Sequence, residues 1–148
     1  MTTSTILALL AALLGGAALA TQAPINSALA VALKSPLTAA AVSFGVGFAI
    51  LIVLVVVFGD TAALRQIGAV NPLLFVGGAL GAFYVWRVIF AVPSLGVVSA
   101  ISAVVLGQLA AALMLDAIGP FGLQAIAITW QRVAGIGLVV AGLVLSRL

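Results

Sequence analysis

Thr21-Gln22-Ala23-Pro24-Ile25-Asn26 sets two carboxamides and a proline inside a run, Ile6 to Leu33, that otherwise suits hydrocarbon. An amide in lipid costs free energy unless something bonds to it, so such groups face a bundle interior, a cavity or a ligand. Pro24 has no N–H to offer the carbonyl of Ala20, which frees that oxygen and predicts a kink. On a helix, Gly15, Ala18, Gln22 and Asn26 share one stripe. Small residues early and amides late fit a face that packs closely and then opens onto a cavity. The stretch reads as the polar turn of a membrane bundle.

Composition fixes the solvent. Apolar residues make up 66% of the 148-residue chain, charged residues 5%, and the mean hydropathy is +1.51. A water-facing surface needs about a quarter of its residues charged, so this is an integral membrane protein. The length allows one small bundle, residues 1–148, with no separate soluble domain. A pI near 10.8 rests on five basic and two acidic side chains and gives no reason to expect nucleic acid. The chain has no Cys and no His, and its only carboxylates are Asp60 and Asp116. Thiol chemistry, a metal cluster and a general acid–base pair all lack their parts, so neither an enzyme nor a cofactor is expected. Ala18-Leu19-Ala20 imitates a signal-peptide cleavage site. Residues 1–5 carry no Lys or Arg, however, and hydrophobicity resumes at Ala28, so a retained first helix is expected.

Five membrane segments are predicted, near residues 6–33, 37–58, 72–92, 97–115 and 129–147. Lys34-Ser35-Pro36 is a tight connection with Pro36 at a helix start, and Asn71-Pro72 repeats that cap-then-proline pattern. Pro93-Ser94-Leu95-Gly96 reads as the next turn. Thr129 reads as the cap of the last helix, with Trp130 a headgroup anchor. Small residues mark packing faces: Gly77 with Gly81, then Ser99, Ala103, Gly107 and Ala111 at every fourth position, and Gly137 with Ala141. Tyr84 continues the Gly77–Gly81 face and needs a hydroxyl partner if buried, whereas Trp86 points the other way, toward lipid or the interface. Arg87 lies near a segment end, where it either snorkels or attracts anionic groups to a cavity mouth. Gln108 lies off the ladder, either as an interhelical hydrogen bond or as a cavity amide facing Gln22 and Asn26.

With five spans, Arg65 and Arg132 fall on one side and Lys34 and Arg147 on the other, joined by Arg87 if it snorkels outward. That distribution gives almost no orientation bias. A chain that inserts both ways can pair with an inverted copy of itself. The pair reproduces the inverted repeat that larger transporters carry in one chain.

Several short motifs, in order, resemble the YdcZ-like family of the drug/metabolite transporter superfamily. They are Gln22-Ala23-Pro24-Ile25-Asn26, Ser35-Pro36, Val42-Ser43-Phe44, Gly81-Ala82-Phe83-Tyr84, Gly107-Gln108-Leu109 and Leu115-Asp116. Trp130 to Gly142 resembles the closing helix of ten-helix members of that superfamily. The resemblance implies a five-helix unit working as an antiparallel dimer, with itself or with a paired homologue. Small multidrug resistance proteins, similar in size and dimer logic, carry a membrane-embedded glutamate in their first helix. This chain has no Glu and offers Gln22 and Asn26 there. A neutral polar or anionic solute fits that site better than an organic cation.

The expectation is therefore an all-α, multi-pass protein of the bacterial inner (plasma) membrane. It forms a ten-helix inverted-repeat bundle as an antiparallel, dual-topology dimer and transports a small solute by alternating access. The candidate substrate-binding residues are Gln22, Asn26, Ser43, Tyr84, Arg87 and Gln108. Asp60 or Asp116 would serve any proton coupling, although both stand at segment ends. Two other readings use the same residues: a non-transporting subunit glued by its amides, and a cation exporter of the small-multidrug-resistance type.

Overall fold

The computed structural model describes residues 2–59 and 61–148, and the regular structure there is all helical. Its helices are Thr3–Leu33 (α1), Pro36–Phe58 (α2), the single turn Thr61–Leu64 (α3), Val76–Leu95 (α4), Val97–Ile118 (α5) and Trp130–Leu145 (α6). A 3-10 turn, Pro72–Phe75, leads into α4, and others lie at Ile67–Ala69 and Pro120–Gly122.

Local chemistry explains the ends. Ser35 caps α2 by accepting the Thr38 N–H at 3.2 Å, and Pro36 occupies the first turn, where its missing N–H costs nothing. Before it, Lys34 closes α1 in the left-handed conformation (φ 53°), and the Ser35 N–H bonds the carbonyl of Ala30 at 3.0 Å. Asn71 Oδ1 likewise accepts the Leu73 N–H at 3.0 Å ahead of α4. Thr129 holds the cap position of α6, but its side chain makes no capping bond. Pro24 lies inside one continuous helix, as the 6–33 segment predicts, whereas the turn expected from Pro93 comes later. α1 runs unbroken through Pro24, and α4 continues past Pro93 to Leu95. A proline removes one bond but keeps a helical φ, so a helix with two residues left can finish its turn. The chain turns instead at Gly96, whose φ of +76° suits glycine.

Among the described residues, four helical stretches are long and apolar enough to cross a membrane: Thr3–Leu33, Pro36–Phe58, Pro72–Leu95 and Val97–Ile118. α6 is apolar but has 16 residues, about 24 Å at 1.5 Å per residue. Lipid offers no hydrophobic drive between helices, so close contact between small side chains is what holds them.

The chain divides into two compact units. In the first, up to Pro93, α1 and α2 form a hairpin through Lys34, and its core joins Ala30, Ala39, Ala40, Val85 and Ile89. Ala39 is 0% exposed and Ile89 1%, so the close approach is made at alanines and filled by α4. Trp86 packs against this cluster instead of standing free toward lipid. In the second unit, from Ser94, α5 and α6 form another hairpin. Ser99 Oγ lies 3.2 Å from Ser146 Oγ at one end, and Asp116 pairs with Arg132 toward the other.

Candidate functional site

The polar turn of α1 faces inward. Gln22, Ala23 and Asn26 lie within about one helical turn on the face that meets Tyr84, Val85, Val88 and Ile89 of α4, and Leu19 completes the wall. Between them is a cavity of about 10 Å³, room for roughly one water molecule. Asn26 is only 4% exposed, and its carboxamide has no hydrogen-bond partner among the described residues. The half-buried Tyr84 hydroxyl likewise has no partner there. Gln22 is tied more firmly, because its Nε2 donates to Ser43 Oγ on α2 at 3.4 Å. Thr21, on the outer face, satisfies its hydroxyl locally by donating to the carbonyl of Ala17 at 2.9 Å. The same short stretch thus sends one polar group to a local bond and two carboxamides inward.

The other predicted residues are distributed differently. Ser43 supports Gln22 without lining the cavity. Arg87 is exposed, with its guanidinium 4.1 Å from the Trp86 ring centre and 5.1 Å from that of Phe83. That stacking holds the charge on the outer side of α4, away from the cavity wall. Gln108 is exposed on α5, in the second unit. Asp60 lies outside the described residues. Among the packing positions, Ser99 is buried, and a Cβ at Gly81 would meet the Phe44 ring at 3.7 Å. Gly77, Gly107 and Gly137 face open space, and Ala103 is exposed.

Sequence reading missed the Asp116–Arg132 ion pair. Asp116 falls within the last turn of α5, and Arg132 in the first turn of α6. Gly119 makes the pairing possible. With φ +64° it turns the chain so tightly that a Cβ would stand 2.8 Å from the Leu123 carbonyl oxygen. The Ile126 N–H then returns to the carbonyl of Asp116 at 2.8 Å. Two opposite charges, 16 residues apart in so apolar a chain, were the available signal.

No group of His, Cys, Asp or Glu among the described residues could hold a metal ion. The site is instead a pair of inward amides and a phenol in a membrane-spanning helical unit. The family model DMT_YdcZ, described as "Putative inner membrane exporter, YdcZ", matches residues 7–145. The chain belongs to this family. No curated protein and no solved structure matches it. As a YdcZ-family chain it is a multi-pass inner-membrane protein of a transporter class, not of an enzyme class.

Proposed function

We propose that this YdcZ-family chain is one half of an antiparallel dimer that exports a small neutral polar or anionic solute by alternating access. The buried Asn26 carboxamide carries the reading. The carboxamide has no partner among the described residues yet stays open to the cavity, where water or a solute can bond to it, and a pure packing element has no use for such a group. Gln22, Asn26 and Tyr84 supply donors and acceptors without charge, as a neutral polar solute requires. A cavity of about 10 Å³ is too small for a metabolite, so this wall needs a second wall from the partner copy.

α6 serves as the fifth span. It runs back along α5 from the Asp116–Arg132 pair to the Ser99–Ser146 contact. Beyond that contact, Arg147 Nη1 donates to the Leu95 carbonyl at 3.1 Å. Five spans put the basic residues in near balance between the two sides, which supports insertion in both orientations. The uncovered small residues Ala103, Gly107 and Gly137 give the inverted copy room to approach.

The chain contains no Cys, so Asn26→Cys introduces a single thiol. Labelling of that thiol in sealed vesicles by a membrane-impermeant thiosulfonate is the expected result. A thiol that stays unlabelled until detergent is added overturns the chamber.

A further inference from the structure

Arg87 stands deep in its span. α4 continues to Leu95, so about 12 Å of helix separates Arg87 from the C-terminal end of the Pro72–Leu95 stretch. At the same rise the whole stretch is about 36 Å long, which puts Arg87 within about 6 Å of its middle. The side chain does not reach back out. Its guanidinium lies 5.1 Å from the ring centre of Phe83, one helical turn nearer the middle, and 4.1 Å from that of Trp86, which packs on the core cluster. Side chains on a helix lean toward its N-terminus, and for Arg87 that direction leads inward, away from the nearer surface. A snorkelling arginine would extend toward Leu95 instead. The ring contacts take up charge but offer no oxygen, and no N–H of Arg87 has an acceptor among the described residues. A cation at this depth costs about 2.5–3.5 kcal/mol on insertion scales, so it calls for an anion.

Depth separates the possible sources of that anion. Headgroup phosphates lie outside a hydrocarbon layer about 30 Å thick, beyond the reach of a side chain that leans inward. A second copy of this chain brings no carboxylate to the middle either way up, because Asp60 and Asp116 both stand at segment ends and Asp116 is paired with Arg132. A soluble anion remains. From this unanswered midspan guanidinium, we propose that Arg87 binds the carboxylate of the transported solute and sets a preference for organic anions. The inference rests on the proposed dimer, whose hydrated chamber has to reach this side of α4, and it selects the anionic solute from the two that reading allows. A carboxylate matches the guanidinium fork with two parallel hydrogen bonds, and the Phe83 and Trp86 rings suit a flat apolar body beside it.

In a Trp130→Phe background Trp86 is the sole tryptophan, since the chain has two, and it touches the charge. Its emission is read in proteoliposomes titrated with 4-bromobenzoate or with 4-bromobenzamide, a neutral probe of the same shape carrying the same heavy-atom quencher. The carboxylate should half-quench at about tenfold lower concentration, the effect of a charge-assisted hydrogen bond. Arg87→Gln should remove that difference. Phe90→Glu should remove it too, because Phe90 is 66% exposed and a carboxylate three residues on occupies the guanidinium from within the helix. Equal quenching by the two probes, or quenching by neither, overturns the proposal, and labelling of Asn26→Cys then shows separately whether the chamber stands. A difference that survives Arg87→Gln or Phe90→Glu puts the anion elsewhere and overturns it as well.

Discussion

At Asn26 the proposed function predicts that stability and transport part company at a single side chain. Leu has the same branched heavy-atom skeleton and no polar atoms, so Asn26→Leu removes the unpaired amide without opening a void. The variant should be more stable by about 1 kcal/mol in detergent unfolding, and it should no longer transport. Loss of stability together with retained transport would show that Asn26 is structural. Gln22→Leu should change stability by less, about 0.6 kcal/mol, because only the long bond to Ser43 is lost. Both amides were legible from the sequence, since a polar group in an apolar run has few other reasons to be there. Where Arg87 goes was not, because its stacking on Trp86 depends on side-chain rotation that spacing does not encode. The Asp116–Arg132 pair makes a further test at this scale. Each side chain is about a third exposed, so either single neutralisation should cost about 1–2 kcal/mol, between surface and buried pairs. The double variant Asp116→Asn/Arg132→Gln should cost less than the sum, as a double-mutant cycle in detergent unfolding will show.

Among the elements, the connections were more legible than the packing. Ser35-Pro36 and Asn71-Pro72 announced helix starts because a capping oxygen and a proline act locally. The turn after α5 was hidden, because Gly119, Phe121 and Gly122 all take positive φ and no periodicity marks that path. A side chain at Gly119 would stand against the Leu123 carbonyl and the Ala125 N–H, so Gly119→Ala should cost about 1–3 kcal/mol and weaken the Asp116–Arg132 pairing. Gly81→Ala should change stability by no more than about 0.5 kcal/mol, since a methyl group meets only ordinary contact with Phe44. Thermal unfolding of the two variants side by side checks both. GxxxG at Gly77 and Gly81 drew the packing expectation toward α4, yet in the first unit the closest approach falls on Ala30, Ala39 and Ala40. Alanine is so common in this chain that its positions carry no signal until a partner is seen.

At the scale of the molecule, the most apolar windows of α1 and α2 have no residue buried inside the chain. Residues 3–18 of α1 are exposed throughout, as are those from Phe48 to Gly59 apart from Val55. Lipid covers such surfaces well, but lipid does not enclose a polar solute. In the proposed dimer an inverted copy does, by bringing a second set of Gln22, Asn26 and Tyr84 to face the first. Opposite orientations in one membrane are therefore the central requirement, and the 59–71 connection reports them directly. A Cβ at Gly68 meets nothing within 4 Å, so Gly68→Cys supplies a freely reactive thiol in a chain without another. Right-side-out and inside-out vesicles are labelled with a membrane-impermeant maleimide, and the labelled fraction is read by gel shift. An antiparallel pair of identical chains gives about half of the thiols labelled in each preparation; labelling from one face alone contradicts it.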